Sequence, residues 1–517
     1  MGVTRAAPTR AELLAALSIA IDLGLGQPAE HMLRSAVLAS RLAERLELAE
    51  AQRAGAYDAT LLMWIGCTAD SQEYARWFGD DIAVRSASYL VDWSGLPFVR
   101  FLVGHVAQGR PLTARAATLA EMMVDARGHL AQLLHSHCLS ASMLAARLGM
   151  PRDVQAAIAA AFERYDGRGL PNGLRGGDIP IEMRVAQLAD TAEVHARLGG
   201  VDAAVAMAVE RRGRQFDPVV VDAFVAEAAT LLDIPHGADA WTAALDCAPD
   251  QEPLTDAVLD ETLAAIGDFA DLKCPFMVGH SRGVADLVQS AAPVMGMAPE
   301  QTITLRRAAH LHDVGRLGVS NLVWSKEGPL GAEDWERVRM HPYLGGRVLA
   351  HVPGLAAEAA LVRAHHERLD GSGYPAGTAA TGLSRADRLL AAAVAYRSAT
   401  EPRPYRPAFE PPQAIERLEQ RAARGQLDPD AVAAIATTVR GRASRRALPD
   451  GLTPREAEIL MLVAQGRSNR DIAGILSLSE KTVRNHVEHT YAKIGVVNRV
   501  GASLYAIDHG FLGRPGV

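Results

Sequence analysis

At 517 residues the chain is longer than one ordinary hydrophobic core supports, and about three domains are expected. It is 49% hydrophobic, with abundant Ala and only 5% aromatic residues, which favours helices over sheets and excludes a small stapled fold. The net charge of −7 excludes a globally basic nucleic-acid coat and confines any basic role to local clusters.

In chain order, the first clear helical pattern is EHMLRSAVLASRLAERL around His31, where Leu38, Leu42 and Leu46 recur every four residues. ATLLMWIG (59–66) follows. A longer middle comes next, holding DSQEYARWFGDDIAVRS and LVDWSGLPF, and reads as extra packing helices, a lid, a pocket wall or an interface. The Gly-rich turn FERYDGRGLPNGL (162–174) then precedes RVAQLADTAEVHARL from Arg184. HGADAWTAALDCAPDQEPL reads as a linker over 236–254.

After this linker the same order returns. GHSRGVADLVQSAA surrounds His280, with Val284, Leu287 and Val288 on one face. AAHLHDVG (308–315), HERLDGSGYPAG (366–377) and RLLAAAVAYRSATEPRPYR from Arg388 follow. Glu163, Arg164, Asp166, Gly167, Gly169 and Pro171 answer Glu367, Arg368, Asp370, Gly371, Gly373 and Pro375 without a gap. Agreement in a Gly-rich turn is harder to reach by chance than agreement between Ala-rich helices. Two homologous helical domains are expected, at 12–235 and 255–440.

The second copy sets His280, His312-Asp313, His341 and His365-His366 on segments that read as helices or helix ends. Imidazoles and a carboxylate brought from several helices suit divalent ions, which lower the pKa of bound water and clamp phosphate oxygens. That is chemistry for phosphoester hydrolysis.

This order of ligands, followed by DGSGYP and RPYR, resembles the HD-GYP subgroup of the HD-domain phosphohydrolases. The resemblance implies an all-helical fold and one or two divalent ions, iron or manganese, in the second copy. Active members hydrolyse cyclic di-GMP; the resemblance implies a substrate loop of Asp370, Gly373, Tyr374 and Pro375 and, in an active copy, catalytic roles for Asp313 and Arg316, with turnover here expected to be weak or absent because Val394 replaces an Asp ligand. The departures are specific. Val394 and Arg397 stand where the family carries Asp, Arg316 replaces Lys, and Phe276 stands where some members have a Glu ligand. The first copy has Met63-Trp64 at the His-Asp position and Ala161-Phe162 at the His-His position, and retains His31, His137 and Asp190. Neither metal nor catalysis is expected there; Trp64 and Phe162 would fill the cavity as core or as an apolar ligand pocket.

Past Arg440, a basic linker at 441–450 holds Arg442, Arg445 and Arg446. The text then changes. Thr453, Pro454 and Glu456 form an N-cap, N1 proline and capping box, and Gly466 stops the helix. Ser468 and Asp471 open a second helix with Ile472, Ile475 and Leu476 on its apolar face. Ser479 caps a third that runs to Gly495 and buries Val483, Val487 and Ile494. Short capped helices joined by tight turns are the layout of helix-turn-helix readers. Residues 451–517 resemble the LuxR-type (GerE-like) four-helix DNA-binding domain. By that resemblance Lys481 and Thr482 contact phosphates, Arg484 and Asn485 reach base edges, His486 and Lys493 lie on the same polar face, and the helix from Asn498 to His509 is a dimer surface.

Cys67, Cys138, Cys247 and Cys274 show no CxxC spacing, no apolar run approaches the ~18 residues of a membrane span, and the N-terminus lacks a signal-peptide core. A soluble, cytoplasmic homodimer is expected. The fold class is all-α: two tandem HD-like bundles, then a helix-turn-helix domain. The expected function is a regulator that binds double-stranded DNA, with the tandem region sensing a nucleotide or small-molecule effector. The alternative is an active metal-dependent phosphodiesterase coupled to DNA binding.

Overall fold

The computed structural model describes residues 7–93, 95–107, 111–124, 126–441, 449–509 and 511, and among them there are helices and no β-strand. The basic-linker residues Arg442, Arg445 and Arg446 lie outside the described residues. The chain divides into two compact units. One is Met1–Leu259 with the short segments Ser320–Leu322 and His351–Gly354; the other is Asp260–Val319, Val323–Ala350 and Leu355–Val517.

The first unit is organised around the helix Arg10–Leu25, in which 13 of 16 residues are buried. Thr9 caps it through a capping box with Glu12, which satisfies two of the donors a helix N-terminus leaves free. His31–Arg45 and Glu50–Leu62 pack beside it, and Ile181–Arg211 lies across both. The longer middle forms the helices Ser71–Phe78, Asp81–Ser88 and Gly95–His105, with Tyr74, Trp77, Phe78, Val84 and Val106 in a buried cluster of their own. The linker expected at 236–254 contains a helix, Ala238–Asp246, that buries Ala240 and Ala244 and accepts the Tyr57 hydroxyl on the Ala244 carbonyl at 2.9 Å. Small apolar residues at i and i+4 gave this segment a packing face that its Pro and Asp flanks obscured.

In the second unit the helices His280–Ala291, Pro299–Leu311, His341–Ala350, Ala356–Ala364 and Arg385–Thr400 bring their ends together. A short 3-10 turn, Val314–Gly318, follows the His312-Asp313 pair. It packs backbone to backbone against the helix of His341, since a Cβ on Gly315 would strike the His341 carbonyl and the Gly345 amide. Gly66 meets the His137 carbonyl in the same way in the first unit. Glu163 accepts hydrogen bonds from the amides of Asn172 and Leu174 at 2.7 and 2.9 Å, and Glu367 accepts from Ala376 and Thr378 at 2.8 and 2.9 Å. The repeat read in the sequence is therefore also a repeat of backbone construction.

The terminal helices are Pro454–Ala464, Asn469–Leu476, Glu480–Ile494 and Arg499–Asp508, with N-caps at Thr453, Ser468, Ser479 and Asn498. Leu452, Ile459, Leu460, Ile472, Val483 and Phe511 form their core. Ile472 is fully buried, but Ile475, expected on the same face, is 53% exposed. The helix ends one residue later at Leu476, too short for both to turn inward.

Candidate metal centre and nucleic-acid interface

His280 opens its helix, His312 and Asp313 follow the end of Pro299–Leu311, His341 opens the next long helix, and His365-His366 follow Ala356–Ala364. All six predicted ligands converge. Asp313 is central: its Oδ2 lies 3.8 Å from His280 Nε2 and 3.4 Å from His312 Nε2, and its Oδ1 lies 3.4 Å from His341 Nε2 and 3.8 Å from His365 Nε2. Two groups of three ligand atoms result, His280, His312 and Asp313 in one, and His341, His365 and His366 in the other.

Hydrogen bonding fixes the tautomers. His312, His341 and His365 each donate Nδ1–H to the backbone carbonyl three residues earlier, at 2.8, 2.6 and 2.6 Å. A carbonyl only accepts, so the proton sits on Nδ1 and Nε2 carries a lone pair. Burial pushes His280 and His341 down to about 4 and His365 and His366 well below the usual histidine range, so the rings are neutral. Burial alone would raise Asp313, but the Arg316 guanidinium beside it holds it well below the ordinary carboxylate range.

Lone pairs thus face lone pairs. His341 Nε2 and His365 Nε2 stand 3.2 Å apart with no proton between them, and His312 Nε2 is buried with no partner. Buried acceptors left this way are costly, and a cation at their centre removes the cost. The donor set fits a divalent transition ion.

The missing ligand is not replaced, but a carboxylate that sequence reasoning missed orients His280 from its other nitrogen. Val394 is buried on Arg385–Thr400. One turn later Arg397 lays its guanidinium against Gly283, where a Cβ would displace it, and pairs at 2.7 Å with Glu401. Glu401 accepts the His280 Nδ1 proton at 2.7 Å and a second hydrogen bond from Arg403 at 3.1 Å, while Arg403 also donates to the Phe276 carbonyl at 3.0 Å. Despite burial, these cations and His280 keep Glu401 ionised, well below its usual range. The i, i+4 spacing of Arg397 and Glu401 was the available signal.

Arg316 stacks on the Trp324 ring at 4.0 Å and donates to Asp313 at 3.0 Å. Tyr374 stacks on His366 with centroids 4.7 Å apart. Pro375 follows it through a cis peptide bond, and Gly373 lies where a Cβ would meet the backbone of Glu367 and Arg368. Asp370 is exposed and is spent on its own turn, accepting from the Ser372 amide and hydroxyl at 3.0 and 2.6 Å.

The first copy inverts this chemistry. His31 gives Nδ1 to Glu193 at 2.7 Å and Nε2 to Asp190 at 3.0 Å. Burial opposes the charge, yet the two carboxylates raise His31 to about 10, so it is an imidazolium with no lone pair to offer. His137 likewise spends its nitrogens on Asp70, at 2.9 Å, and the Met63 carbonyl, at 3.2 Å. Cys67 and Asp70 cluster with it, but Asp70 is also paired with Arg85. Rings of Trp64 and Phe162 stand 5.4 Å apart where the second copy has its metal ligands. A cavity of about 100 Å³ remains beside them, and Tyr89, Val91 and Trp93 from the longer middle form one wall.

On the terminal domain Lys481, Arg484 and Asn485 are exposed on Glu480–Ile494, opposite buried Val483 and Thr490, with Thr482 and His486 half-buried. The Thr482 hydroxyl pairs with Ser479 at 2.7 Å. Lys493 is tied to Glu456 at 2.7 Å, inside the domain. Val500, Leu504 and Ile507 of the fourth helix are buried within the single chain, and Asp508 lies 3.3 Å from Arg282, which also holds Asp268.

An all-helical fold with a His-Asp pair at the meeting point of its helices, followed by a helix-turn-helix domain, defines the class. The chain belongs to the HD domain family, whose model matches residues 125–220 and 265–431, and it carries a domain of the luxR family of bacterial regulatory proteins at residues 450–506. It is similar to 3'3'-cGAMP-specific phosphodiesterase 3 of Vibrio cholerae, at 28% identity over 82% of this chain and 93% of that protein. A crystal structure of a cyclic GMP-AMP specific phosphodiesterase of V. cholerae, V-cGAP3, matches with a TM-score of 0.59 and 26% identity over 86% of this chain and 100% of that one. The terminal region is 38% identical over 87 residues to the DNA-binding transcriptional activator DevR/DosR of Mycobacterium tuberculosis, covering 17% of this chain and 40% of that protein. No helix among the described residues is long and apolar enough to cross a membrane.

Proposed function

We propose that this protein is a transcription regulator whose second HD copy holds two divalent ions and acts on a cyclic dinucleotide, with the terminal domain binding double-stranded DNA as part of a homodimer. The observation that carries the metal assignment is that one carboxylate, Asp313, faces the Nε2 atoms of His280, His312, His341 and His365 within 3.4 to 3.8 Å. His280, His312, His341, His365 and His366 with Asp313 would hold the ions. Divalent ions so held lower the pKa of water and polarise phosphoester oxygens. Around them the chain's own residues have separate tasks. Glu401 and the three backbone carbonyls orient the imidazoles, Arg316 brings a fixed positive charge beside Asp313, and Tyr374 lays a flat ring against His366 on which a base can stack. The chain-length similarity to a cGAMP-specific phosphodiesterase supports a cyclic dinucleotide as the substrate class.

A second reading, recognition without turnover, is favoured by Val394, which withholds a carboxylate from the His280 side. Both readings are tested together. Purified protein is assayed for metal by elemental analysis and for linear dinucleotide after incubation with manganese or ferrous iron and 3'3'-cGAMP or cyclic di-GMP. Metal with turnover lost in Asp313→Asn supports the enzyme; metal and dinucleotide binding without product supports the sensor. Absence of metal from protein prepared and reloaded anaerobically sinks the metal-site reading.

A further inference from the structure

The cavity of the first copy has a chemistry of its own. Trp64, Tyr89, Trp93 and Phe162 line it, with Trp93 and Phe162 stacked at 5.8 Å and 27°. Beside these rings stand three guanidinium groups, Arg164, Arg168 and Arg211. Arg164 and Arg211 are only 5% and 4% exposed. Arg164 gives one nitrogen to Asp92 at 2.6 Å; its Nε, 3.5 Å from Asp166, and its Nη2 are buried without a hydrogen bond. Arg211 donates to Gln215 at 3.3 Å and leaves its Nε buried and unsatisfied. Burial, opposed by Asp92 and Glu210 and aided by the nearby Arg164 and Arg214, lowers the Arg211 pKa.

The carboxylates of the cavity do not fill that need. Asp190 is committed to His31, Trp64 and Tyr89, and Glu163 is committed to the amides of its loop. Aromatic walls beside unsatisfied arginines select a ligand with one flat ring system and one anionic group, because bases stack on such rings and guanidinium forks match phosphate. The cavity volume of about 100 Å³ is on the order of the ~150 Å³ cavity that houses a benzene ring, so it admits one flat ring, and its open side leaves the rest of the ligand at the mouth. We propose that the first copy binds a nucleoside monophosphate, its base against the rings of Trp64, Trp93 and Phe162 and its phosphate on Arg164 and Arg211, with Arg168 at the exposed rim. The site requires neither metal nor turnover, so it stands or falls apart from the reading of the second copy.

Equilibrium dialysis of the full chain with GMP and AMP, with guanosine and inorganic phosphate as controls, tests it. Saturable binding of a monophosphate is expected, weaker by about tenfold or more for guanosine and for phosphate alone, each of which lacks half of the recognition. Arg211→Gln is expected to cost at least about tenfold in affinity. Should that buried substitution unfold the domain by circular dichroism, exposed Arg168→Ala decides, with a several-fold loss at unchanged melting temperature. Asp313→Asn, in the other copy, is expected to leave GMP binding intact. No saturable monophosphate binding, binding unchanged in Arg168→Ala and Arg211→Gln, or binding abolished by Asp313→Asn would each overturn the proposal.

Discussion

His280 donates its Nδ1 proton to Glu401 at 2.7 Å, and His31, at the matching place in the first copy, donates its own to Glu193 at the same distance. The two carboxylates are not at equivalent positions. Glu193 corresponds to Arg397, and Glu401 to Arg197, so cation and anion have exchanged places one turn apart along the same helix. The first copy pairs Arg197 with Glu193, at 3.5 Å, and the second pairs Arg397 with Glu401, at 2.7 Å. The histidine keeps its carboxylate partner in both. In the second copy Val394 stands at the Asp190 position and the Asp313 carboxylate comes no nearer than 3.8 Å, so His280 Nε2 makes no such hydrogen bond.

Glu401→Gln is therefore expected to loosen the metal centre without removing a ligand. A partner that orients a ligating histidine is worth roughly 10–100-fold in metal affinity. Competition with a chromophoric chelator measures this directly. An unchanged affinity would mean that the charge of Glu401 is not needed to orient His280.

Val394→Asp is expected to act in opposite directions with and without metal. A carboxylate buried beside neutral histidines costs roughly 1–3 kcal/mol in the empty protein, which lowers its melting temperature. With manganese present the same group adds a ligand near His280, so the variant is expected to bind metal more tightly than its parent and to show the larger melting shift on loading. Turnover that rises with it would place Val394 as the brake on hydrolysis.

Most of the centre was legible in the chain because its ligands come as adjacent pairs and as a Gly-rich loop, features that survive in one dimension. The Arg397–Glu401 exchange was hidden, since it needs Gly283 on another helix to make room for the guanidinium. Arg397 alone reads as a lost acid. Helix Ala238–Asp246 was hidden for a different reason: its face is two alanines, and only the tertiary partner Tyr57 reveals that it is buried. Asp370 went the other way, a polar residue of the motif that serves its own turn.

The protonation of His31 gives the first copy an alkaline limit. Its folded pKa, about 10, lies above the ordinary 6.5 of an exposed histidine. A raised value means that the stabilisation is fully present below about pH 6.5 and drains away as pH rises toward 10, by an amount on the order of a few kcal/mol. Hydrogen exchange along Ile181–Arg211 between pH 7 and 10, corrected for intrinsic rates, is expected to report progressive loosening. In Asp190→Asn the dependence is expected to flatten; equal slopes in both proteins would assign the alkaline loss to another group.

At the DNA surface the geometry separates three cations. Among the described residues Arg484 is exposed with no ion pair to an acid of the domain, Lys481 is exposed at the start of the helix, and Lys493 is held by Glu456. Arg484→Ala is expected to cost roughly 1–3 kcal/mol on a selected binding site and to relax its sequence preference, as loss of a base contact does. Lys481→Ala is expected to weaken all sequences alike and to reduce the slope of log affinity against log salt by about one. Lys493→Ala removes the partner of Glu456 inside the domain, so it is expected to lower the melting temperature while leaving the salt slope unchanged. Fluorescence anisotropy at several salt concentrations distinguishes these cases. If Lys493→Ala flattens the slope as Lys481→Ala does, the ion pair with Glu456 opens on DNA and Lys493 belongs to the phosphate contacts.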